Sequence, residues 1–423
     1  MNIGILGLGT VGGGVVNVLS KNRASIFART GEEINIVQAA VKSLDEEIIC
    51  PTADFDLTEN ALAVVNNAEV EVVLELIGGT TFAKDLVETA IKNGKHVITA
   101  NKALIATHGN QLLALAKSHK VHLLFEAAVA GGIPILKALE QGLSANKIEW
   151  IAGIINGTGN FILSEMRDKG RDFADVLAEA QDLGYAEADP TFDVEGTDAA
   201  HKLAILASMA FGSELAFSSV STEGISKISG EDVAFATEMG YFIKHLGVTK
   251  KIGEAVEMRV CPTLIPKTQL LANVDGVMNA VMIKGNAVGP TLYYGAGAGS
   301  EATASAVIAD LVDIIKGTLS PDTFGWQALE PISKQNPDEV QSVFYLALLV
   351  ADKPGVLAEI TKTLAKYNIS IEQVLQKPAG NNANISIITN RVKMGILQAA
   401  IGQIEAQNFN QESVKIIFVE MLN

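Results

Sequence analysis

The sequence has little of three things: cysteine, basic charge and long apolar runs. Its 423 residues include only two cysteines, Cys50 and Cys261, which is too few for a disulfide framework and favours a reducing compartment. Lysine and arginine number 32 against 48 aspartates and glutamates, for a net charge of −16. This balance argues against nucleic-acid and anionic-membrane binding, because both need a basic footprint, but it allows a small anionic cofactor at a locally positive site.

Membrane insertion and export are also disfavoured. No segment reaches the roughly 18 consecutive apolar residues of a spanning helix. The apolar stretch 4–19 is followed, not preceded, by its first basic residue, Lys21, which is the reverse of a secretory signal. We therefore expect a cytoplasmic protein. Hydrophobic residues make up 48% of the chain, enough for several folded domains.

The first part of the chain alternates short strands with helices. Strands are expected at 2–6, 34–41, 70–77, 96–99 and 121–125, and helices at 13–21, 85–93 and 111–119. This alternation is typical of βαβ units on a parallel sheet and predicts an α/β domain over residues 1–130.

Beyond residue 130 the pattern predicts two further domains. Helices are expected at 133–140, 160–167, 173–183, 198–211 and 232–246, with strands at 147–155, 257–263 and 277–284, giving an α+β domain over 131–317. Its helix 302–316 is expected to return to the first domain. Prolines and polar residues predict a linker at 318–342. The order β, helix, β, β, helix, β over 343–423 predicts a ferredoxin-like domain.

The first strand leads into a glycine motif, Gly7-Leu8-Gly9-Thr10-Val11-Gly12, which opens a helix. In that context the motif predicts a Rossmann-type site, because glycines at this spacing let backbone amides reach a pyrophosphate at the helix N-terminus. We expect Gly7, Gly9, Thr10, Val11 and Gly12 to contact the dinucleotide.

The end of the second strand bears on the choice between NAD and NADP. An acidic residue there would bond the ribose hydroxyl of NAD. Here the strand ends in Val41-Lys42-Ser43 and Asp45 comes only later. Lys42 facing a 2′-phosphate favours NADP(H), with NAD(H) as the alternative, and a solvated loop lysine fits the pattern nearly as well.

Charged residues at two places are candidates for catalysis. Lys102 follows the strand at 96–99, at the sheet edge where ligands bind in open α/β folds, although an ordinary surface lysine fits this position equally well. The run 184–202 is the densest polar cluster, with carboxylates at Glu187, Asp189, Asp193, Glu195 and Asp198 before Lys202. Asp198 and Lys202 stand four apart and share a helix face. Such a lysine can transfer protons and the acids can bind an ammonium group, although a solvated loop with an ordinary ion pair remains the alternative.

Two turns offer ligand groups as well. The turn Glu126–Pro134 combines one carboxylate with backbone carbonyls, which could hold a monovalent cation through oxygen, but composition alone favours a buried acid at a helix N-terminus. The turn Asp352–Leu357 could present amides to an amino-acid carboxylate, or could simply be a proline–glycine turn.

These motifs resemble the homoserine dehydrogenase family, in the monofunctional type that carries a C-terminal ACT domain, over essentially the whole chain. The resemblance rests on Gly7–Gly12, Ile77–Gly79, Thr99–Lys102, Val129–Ile135, Asn156–Ile162, Asp352–Leu357 and above all Gly184–Lys202. Two positions depart from it: Gly159, where relatives often have threonine or serine, and Ala296, where they often have proline.

The resemblance implies a reaction and roles for individual residues. The family interconverts L-homoserine and L-aspartate 4-semialdehyde with NAD(P)H, in threonine, methionine and isoleucine biosynthesis. By matching position, Lys202 is expected to be the acid/base, Asp193 and Asp198 to orient substrate and lysine, and Glu187 to bind the substrate ammonium. Lys102 is expected to contact both nicotinamide and substrate.

The resemblance also implies a cation, an effector and an oligomer. Glu126, Val129, Gly131 and Ile133 match the family's sodium-type cation site, in place of the buried-acid interpretation. The domain over 131–317 is expected to bind substrate and to dimerise, and the ACT domain to regulate, with L-threonine as the expected effector. A homodimer or homotetramer is expected.

Three alternatives have their own sequence requirements. A thiol-dependent semialdehyde dehydrogenase needs a cysteine beside a base, and neither Cys50 nor Cys261 has a histidine nearby in sequence. A hydroxyacid dehydrogenase with an ACT domain needs a catalytic histidine paired with an acid, a motif that His201 and the other histidines do not form. A non-catalytic amino-acid sensor would not need Lys102, Glu187 and Lys202.

Overall fold

The computed structural model describes residues 1–317 and 325–422. The chain forms two compact units. The first comprises Met1–Ile151, Asp198–Val220 and Met278–Ile332, and the second Ala152–Thr197, Ser221–Val277 and Ser333–Asn423. Within the described part of the chain, no helix has the length and apolar character needed to cross a membrane.

The strands and helices follow in chain order. The strands are β1 Asn2–Leu6, β2 Asn35–Ala40, β3 Asp56–Thr58, β4 Val72–Glu75, β5 His96–Thr99, β6 Leu123–Leu124, β7 Ile148–Ile154, β8 Ser221–Thr222, β9 Tyr241–Ile252, β10 Ala255–Pro266, β11 Met278–Gly285, β12 Gly289–Ala296, β13 Ser333–Lys334, β14 Gln341–Ala351, β15 Ile371–Ala379, β16 Asn382–Thr389, β17 Val392–Lys393 and β18 Lys415–Val419. The helices are α1 Thr10–Thr30, α2 Ala61–Asn66, α3 Phe82–Lys92, α4 Lys102–His119, α5 Ile135–Lys137, α6 Gly157–Lys169, α7 Phe173–Asp182, α8 Thr191–Val194, α9 Thr197–Phe211, α10 Gly230–Glu238, α11 Ser300–Lys316, α12 Val356–Lys366 and α13 Met394–Glu405.

The first unit contains a parallel sheet in the order β3-β2-β1-β4-β5-β6. This is the strand order of a Rossmann fold, and it confirms the predicted fold class for this part of the chain. The order reverses between β1 and β4, and ligands of open α/β sheets bind outside the carboxyl ends of the strands at such a switch point.

Helix α11 packs against this sheet domain. Ala304, Val307 and Leu311 are fully buried in one apolar cluster with Ile3 and Val15. The close approach depends on a glycine, because a Cβ atom at Gly14 would lie 2.6 Å from the carbonyl oxygen of Ser300. The helix expected at 302–316 therefore corresponds to α11.

Only part of the predicted linker 318–342 can be described, since residues 318–324 lie outside the described residues. Trp326 donates its indole N–H to the carbonyl of Met209 at 2.8 Å. Farther on, the backbone amide of Glu214 donates to the carbonyl of Glu330 at 2.8 Å. Trp326 and Glu330, two residues of the predicted linker, thus make specific contacts within the first unit.

The second unit contains a ferredoxin-like domain and a long hairpin. Strand β14 pairs antiparallel with β16 and β18, and β15 pairs with β16, so the sheet order is β18-β14-β16-β15. Together with α12 and α13 this gives the predicted βαββαβ order. Strands β9 and β10 form an antiparallel hairpin, and β10 also pairs with β18.

One predicted helix, 232–246, is wrong in its second half. Helix α10 begins after a capping box between Ser229 and Asp232 and ends at Glu238. Gly240 has φ +94°, a left-handed conformation that breaks the helix. The following Tyr241–Ile252 forms β9, whose aromatic and β-branched residues suit a strand.

Candidate active site

The glycine loop after β1 has the geometry of a pyrophosphate site. Gly7 has φ +93°, and a Cβ atom there would lie 2.9 Å from the carbonyl oxygen of Leu76. A Cβ atom at Gly12 would lie 1.9 Å from the carbonyl oxygen of Gly7, whereas one at Gly9 would meet none of the described atoms within 4 Å. Gly7 thus allows a tight turn, Gly9 leaves room for a ligand to approach, and Gly12 allows the helix to pack closely against the strand. In the described part of the chain no side chain caps helix α1, so its first amides can bind an anion.

The loop after β2 carries the residues that bear on cofactor choice. Lys42 is exposed just beyond the strand. The backbone amide of Leu44 donates to Oε1 of Glu59 at 2.9 Å. Sequence reasoning considered only the acids that follow β2 and missed Glu59, which β3 brings to the same loop. The parallel pairing of β2 with β3 is the signal that would have found it.

Three of the predicted catalytic residues come together in the first unit. Nζ of Lys202 lies 2.7 Å from Oδ2 of Asp198, and Nζ of Lys102 lies 3.1 Å from Oδ1 of the same carboxylate. Lys202 and Asp198 are buried one turn apart on α9. Lys102 is the first residue of α4, where Asn101 caps the helix by accepting from the amide of Leu104.

The other predicted substrate residues belong to the second unit. Asn156 caps α6 by accepting from the amide of Gly159 at 2.7 Å, and its Nδ2 donates to Oδ1 of Asp193 at 2.8 Å. Gln181 donates to the carbonyl of Glu187 at 3.0 Å, which fixes the backbone there and leaves the exposed Glu187 carboxylate available. Asn156 is a positioning residue that sequence reasoning did not single out, although it opens one of the motifs.

The turn predicted to hold a cation contains a deeply buried acid. The carboxylate of Glu126 accepts from the amides of Leu136 and Lys137 at 2.9 and 2.8 Å. The amide of Glu126 in turn donates to Asp310 at 2.9 Å. Burial, reinforced by the charge of Asp310, raises the pKa of Glu126 to about 8. Burial raises the pKa of Asp310 to about 6.

The turn offers oxygen ligands, the type that a hard monovalent cation prefers. Lys137 is the nearby ammonium group and forms ion pairs with Asp310 and Asp313. Across residues 1–317 and 325–422, no group of three or more His, Cys, Asp or Glu side chains could hold a metal ion. A cation here would therefore depend on Glu126 and main-chain carbonyls of the turn, where Val129, Gly131 and Ile133 lie buried. A carboxylate that accepts two N–H groups still has lone pairs to offer.

The two cysteines lack the features of nucleophiles. Cys261 is buried beside Arg259, whose guanidinium donates to Sγ at 3.3 Å. Burial raises the pKa of both the Cys50 and the Cys261 thiols, which keeps them protonated near neutral pH.

A Rossmann sheet with an open glycine loop, a buried lysine–aspartate group and an ACT-type domain define a class: a nucleotide-dependent oxidoreductase that carries an ACT domain. Comparison with known proteins agrees. Family models match for the homoserine dehydrogenase NAD-binding domain over residues 7–126, homoserine dehydrogenase over 134–312 and the ACT domain over 344–407.

The chain belongs to the homoserine dehydrogenase family, whose enzymes are oxidoreductases that act on CH–OH groups. It is 52% identical to the homoserine dehydrogenase of Pseudomonas aeruginosa, over 100% of this chain and 99% of the relative. A crystal structure of a homoserine dehydrogenase from Thiobacillus denitrificans is similar at a TM-score of 0.96 and 52% identity, covering 100% of this chain and 99% of that one. A crystal structure of the S. aureus homoserine dehydrogenase at pH 6.5 is similar at a TM-score of 0.79 and 34% identity, covering 99% of this chain and 98% of that one.

Proposed function

We propose that this protein interconverts L-homoserine and L-aspartate 4-semialdehyde and that Lys202 is its acid/base. The observation that carries the proposal is the carboxylate of Asp198, which accepts from Lys202 and lies in ion-pair contact with Lys102. When bound, the nicotinamide supplies or accepts the hydride at the substrate's terminal carbon. Lys202 gives a proton to the carbonyl oxygen, or takes one from the hydroxyl, while Asp198 holds its ammonium group in place.

The remaining roles concern binding and orientation. The exposed carboxylate of Glu187 binds the α-ammonium group of the substrate, and Asp193, held by Asn156, orients it. Lys102 contacts nicotinamide and substrate from the start of α4. With both lysines charged, the Lys102–Asp198–Lys202 group carries a net positive charge, which stabilises the negative charge that develops on the substrate oxygen.

The test is the homoserine-dependent reduction of NADP⁺ and NAD⁺ by the purified full chain. Wild type is expected to turn over, Lys202→Ala to lose turnover and Lys92→Ala to match wild type, since Lys92 lies on the surface of α3 in an exposed ion pair. A Lys202→Ala variant as active as wild type would refute the role of that residue. Turnover abolished by a thiol alkylating agent, with cofactor fully bound, would instead favour a thiol mechanism.

For the cofactor we propose NADP(H), with Lys42 facing the 2′-phosphate. Its exposed position directly after β2 supports this assignment. Lys42→Glu is expected to raise the KM for NADPH at least about tenfold while leaving the KM for NADH nearly unchanged. If Glu59→Gln instead raises the KM for NADH alone, the ribose hydroxyl is the group recognised, and NAD(H) is the natural cofactor.

We also propose a sodium-type cation at Glu126, with carbonyl ligands from Val129, Gly131 and Ile133. The support is a buried carboxyl group with Asp310 nearby, which a cation would stabilise in its ionised form. Thermal stability is expected to be higher in NaCl than in choline chloride at equal ionic strength, and Glu126→Gln is expected to remove the difference. Equal melting temperatures of the wild type in the two salts would argue against the cation.

Regulation by an amino acid, with L-threonine as the candidate, is proposed for the ACT domain. Helix α12 begins at Val356 without a side-chain cap, directly after Gly355 at φ +93°. L-Threonine is expected to inhibit the wild type and to inhibit Asp352→Ala less, with the exposed Glu412→Ala as control. The full chain should be used, because Arg259 of β10 is buried against Glu420, and deletion of the domain would leave that guanidinium without this partner.

A homodimer or homotetramer in the cytoplasm is the proposed working form. Light scattering on the purified chain measures the subunit number, and a monomer at working concentration would contradict this proposal. Two cysteines are too few for a disulfide framework, and this low count supports a reducing compartment.

A further inference from the structure

Glu75 is a buried acid that has no role in the mechanism described above. It is the last residue of β4 and has no exposed surface. Burial raises the pKa of its carboxyl group above the ordinary value, against the effect of its hydrogen bonds. Because a buried carboxyl group is costly unless its oxygens are bonded, the donors around Glu75 show what it holds in place.

On one side, the Glu75 carboxylate holds the loop that follows β4. Oε1 accepts from the backbone amides of Ile77 and Gly78, each at 3.1 Å. Gly78 and Gly79 have φ +74° and +76°, so the loop takes a conformation that few residues other than glycine adopt. The loop lies at the switch point of the sheet, where a Cβ atom at Gly7 would come within 2.9 Å of the carbonyl oxygen of Leu76.

On the other side, the same carboxylate reaches the segment that ends in Lys102. Oγ1 of Thr99 donates to Oε2 of Glu75 at 2.5 Å and accepts from the amide of Asn101 at 2.9 Å. The side chain of Asn101 donates to the carbonyl of Gly79 at 2.6 Å and accepts from the amide of Leu104 at 3.1 Å. The next residue after Asn101 is Lys102, which meets Asp198 at 3.1 Å.

We propose that Glu75 is a positioning residue that joins the loop Ile77–Gly79 to the segment Thr99–Lys102, so that Lys102 and the loop at the switch point keep a fixed geometry. The inference rests on the proposed function. In this role Glu75 touches neither substrate nor cofactor and acts through Thr99 and Asn101. Sub-ångström placement of reacting groups matters for rate, because a displacement of about 1 Å can cost about 100-fold.

Two variants test the connection. Glu75→Gln keeps one oxygen acceptor but replaces the other with a donor that faces the Thr99 hydroxyl. Thr99→Val removes the hydroxyl through which Glu75 reaches the second segment, while Asn101 can still donate to the Gly79 carbonyl. Thr99→Ser retains that hydroxyl and serves as the conservative rescue. Glu71→Gln, just before the same strand, and Thr107→Val, on the exposed surface of α4, are matched controls.

The first readout is kinetic. Glu75→Gln and Thr99→Val are expected to lower kcat between about 10-fold and 100-fold, with a smaller rise in the KM for homoserine, and to shift the pH profile of kcat. Thr99→Ser and both controls are expected to match wild type. A normal kcat and pH profile in both variants, with only a lower melting temperature, would overturn the proposal and leave Glu75 a purely structural group.

The second readout does not need activity. Hydrogen exchange in the apo protein is expected to accelerate in Thr99→Val at the amides of residues 101–104 and also at those of residues 77–79. The Thr99 hydroxyl donates to Glu75 and not to the loop 77–79 itself, so faster exchange in that loop would show that the effect passes through Glu75. Faster exchange confined to 101–104 would also overturn the proposal. If wild type does not oxidise homoserine, the proposed function fails, and the exchange experiment still decides the coupling.

Discussion

Lys102 and Lys202 share one buried carboxylate, that of Asp198, although one lysine begins α4 and the other lies on α9. Nζ of Lys202 is 2.7 Å from Oδ2, and Nζ of Lys102 is 3.1 Å from Oδ1. Asp198 is only 4% exposed, so water screens its carboxylate little and its charge acts strongly on anything bound beside it.

Lys202→Ala is expected to lower kcat by about 100-fold to 10,000-fold, because it removes the group that moves the proton at the substrate oxygen. Lys102→Ala is expected to lower kcat less than Lys202→Ala does and, in addition, to raise the KM for both substrate and cofactor. Steady-state kinetics in both directions measure the split. A Lys102→Ala variant with a turnover loss as large as that of Lys202→Ala, and unchanged KM, would reverse the two roles.

Glu187→Ala is expected to raise the KM for L-homoserine, with a smaller effect on kcat, since the carboxylate binds the ammonium group in the ground state and the transition state alike. A loss of at least about tenfold in affinity corresponds to about 1.4 kcal/mol. Asp182→Ala, an exposed acid at the end of α7, is the matched control. An unchanged KM in Glu187→Ala would show that another group binds the ammonium.

Two glycine substitutions separate ligand approach from folding. A Cβ atom at Gly9 meets no atom of residues 1–317 or 325–422 within 4 Å, so Gly9→Ala is expected to keep the melting temperature and to weaken NADPH binding at least about tenfold. A Cβ atom at Gly12 would lie 1.9 Å from the carbonyl oxygen of Gly7, so Gly12→Ala is expected to lower both the melting temperature and the affinity for NADPH. Nicotinamide fluorescence titration and thermal melting check the pair. NADPH binding of wild-type strength in Gly9→Ala would contradict the predicted pyrophosphate position.

Gly159 is one of the two departures from the family pattern, and it lies beside a buried histidine. Nδ1 of His245 is buried and has no hydrogen-bond partner among the described residues, and a Cβ atom at Gly159 would lie 3.5 Å from it. Gly159→Ser is therefore expected to supply a hydroxyl to Nδ1 and to stabilise the protein by about 1 kcal/mol beyond Gly159→Ala, which changes helix propensity without adding the hydroxyl. The gain should vanish in a His245→Gln background; a gain that persists there would show that it has another origin.

His245 also predicts a pH dependence of stability. Burial lowers its pKa from 6.5 to about 4, against the effect of the Glu223 carbonyl, to which Nε2 is bonded, and of the Glu195 charge. Between these values the unfolded chain binds a proton that the folded chain does not. Stability is therefore full above pH 6.5 and is lost as the pH falls toward 4, by about 3 kcal/mol at most.

The measurement for this last prediction is the melting temperature between pH 8 and pH 4.5 in wild type and His245→Gln. The variant is expected to show a shallower decline on the acid side. Other histidines with lowered pKa values, such as His96 and His122, are present in both proteins, so their contribution cancels in the comparison. Parallel curves for the two proteins would contradict the prediction.

The sequence-based predictions were wrong or incomplete where contacts between residues far apart in the chain override the local pattern. The residues 232–246 have helix-like spacing throughout, yet Gly240 at φ +94° ends the helix and the next residues pair with β10. Glu126 could be recognised as an acid in an apolar turn. That a second acid, Asp310 on α11, would lie against it depends on the return of that helix to the sheet domain.

Features that depend on neighbours in the chain were determined by the sequence alone. The glycine spacing at Gly7, Gly9 and Gly12, the one-turn spacing of Asp198 and Lys202, and the βαββαβ order of the last domain all follow from local backbone geometry. Only the tertiary structure decided which distant groups meet: Lys102 with Asp198, Glu75 with Thr99, and His245 with the space beside Gly159. The physical reason is that strand order and helix packing, not spacing along the chain, bring these side chains within hydrogen-bonding or van der Waals distance.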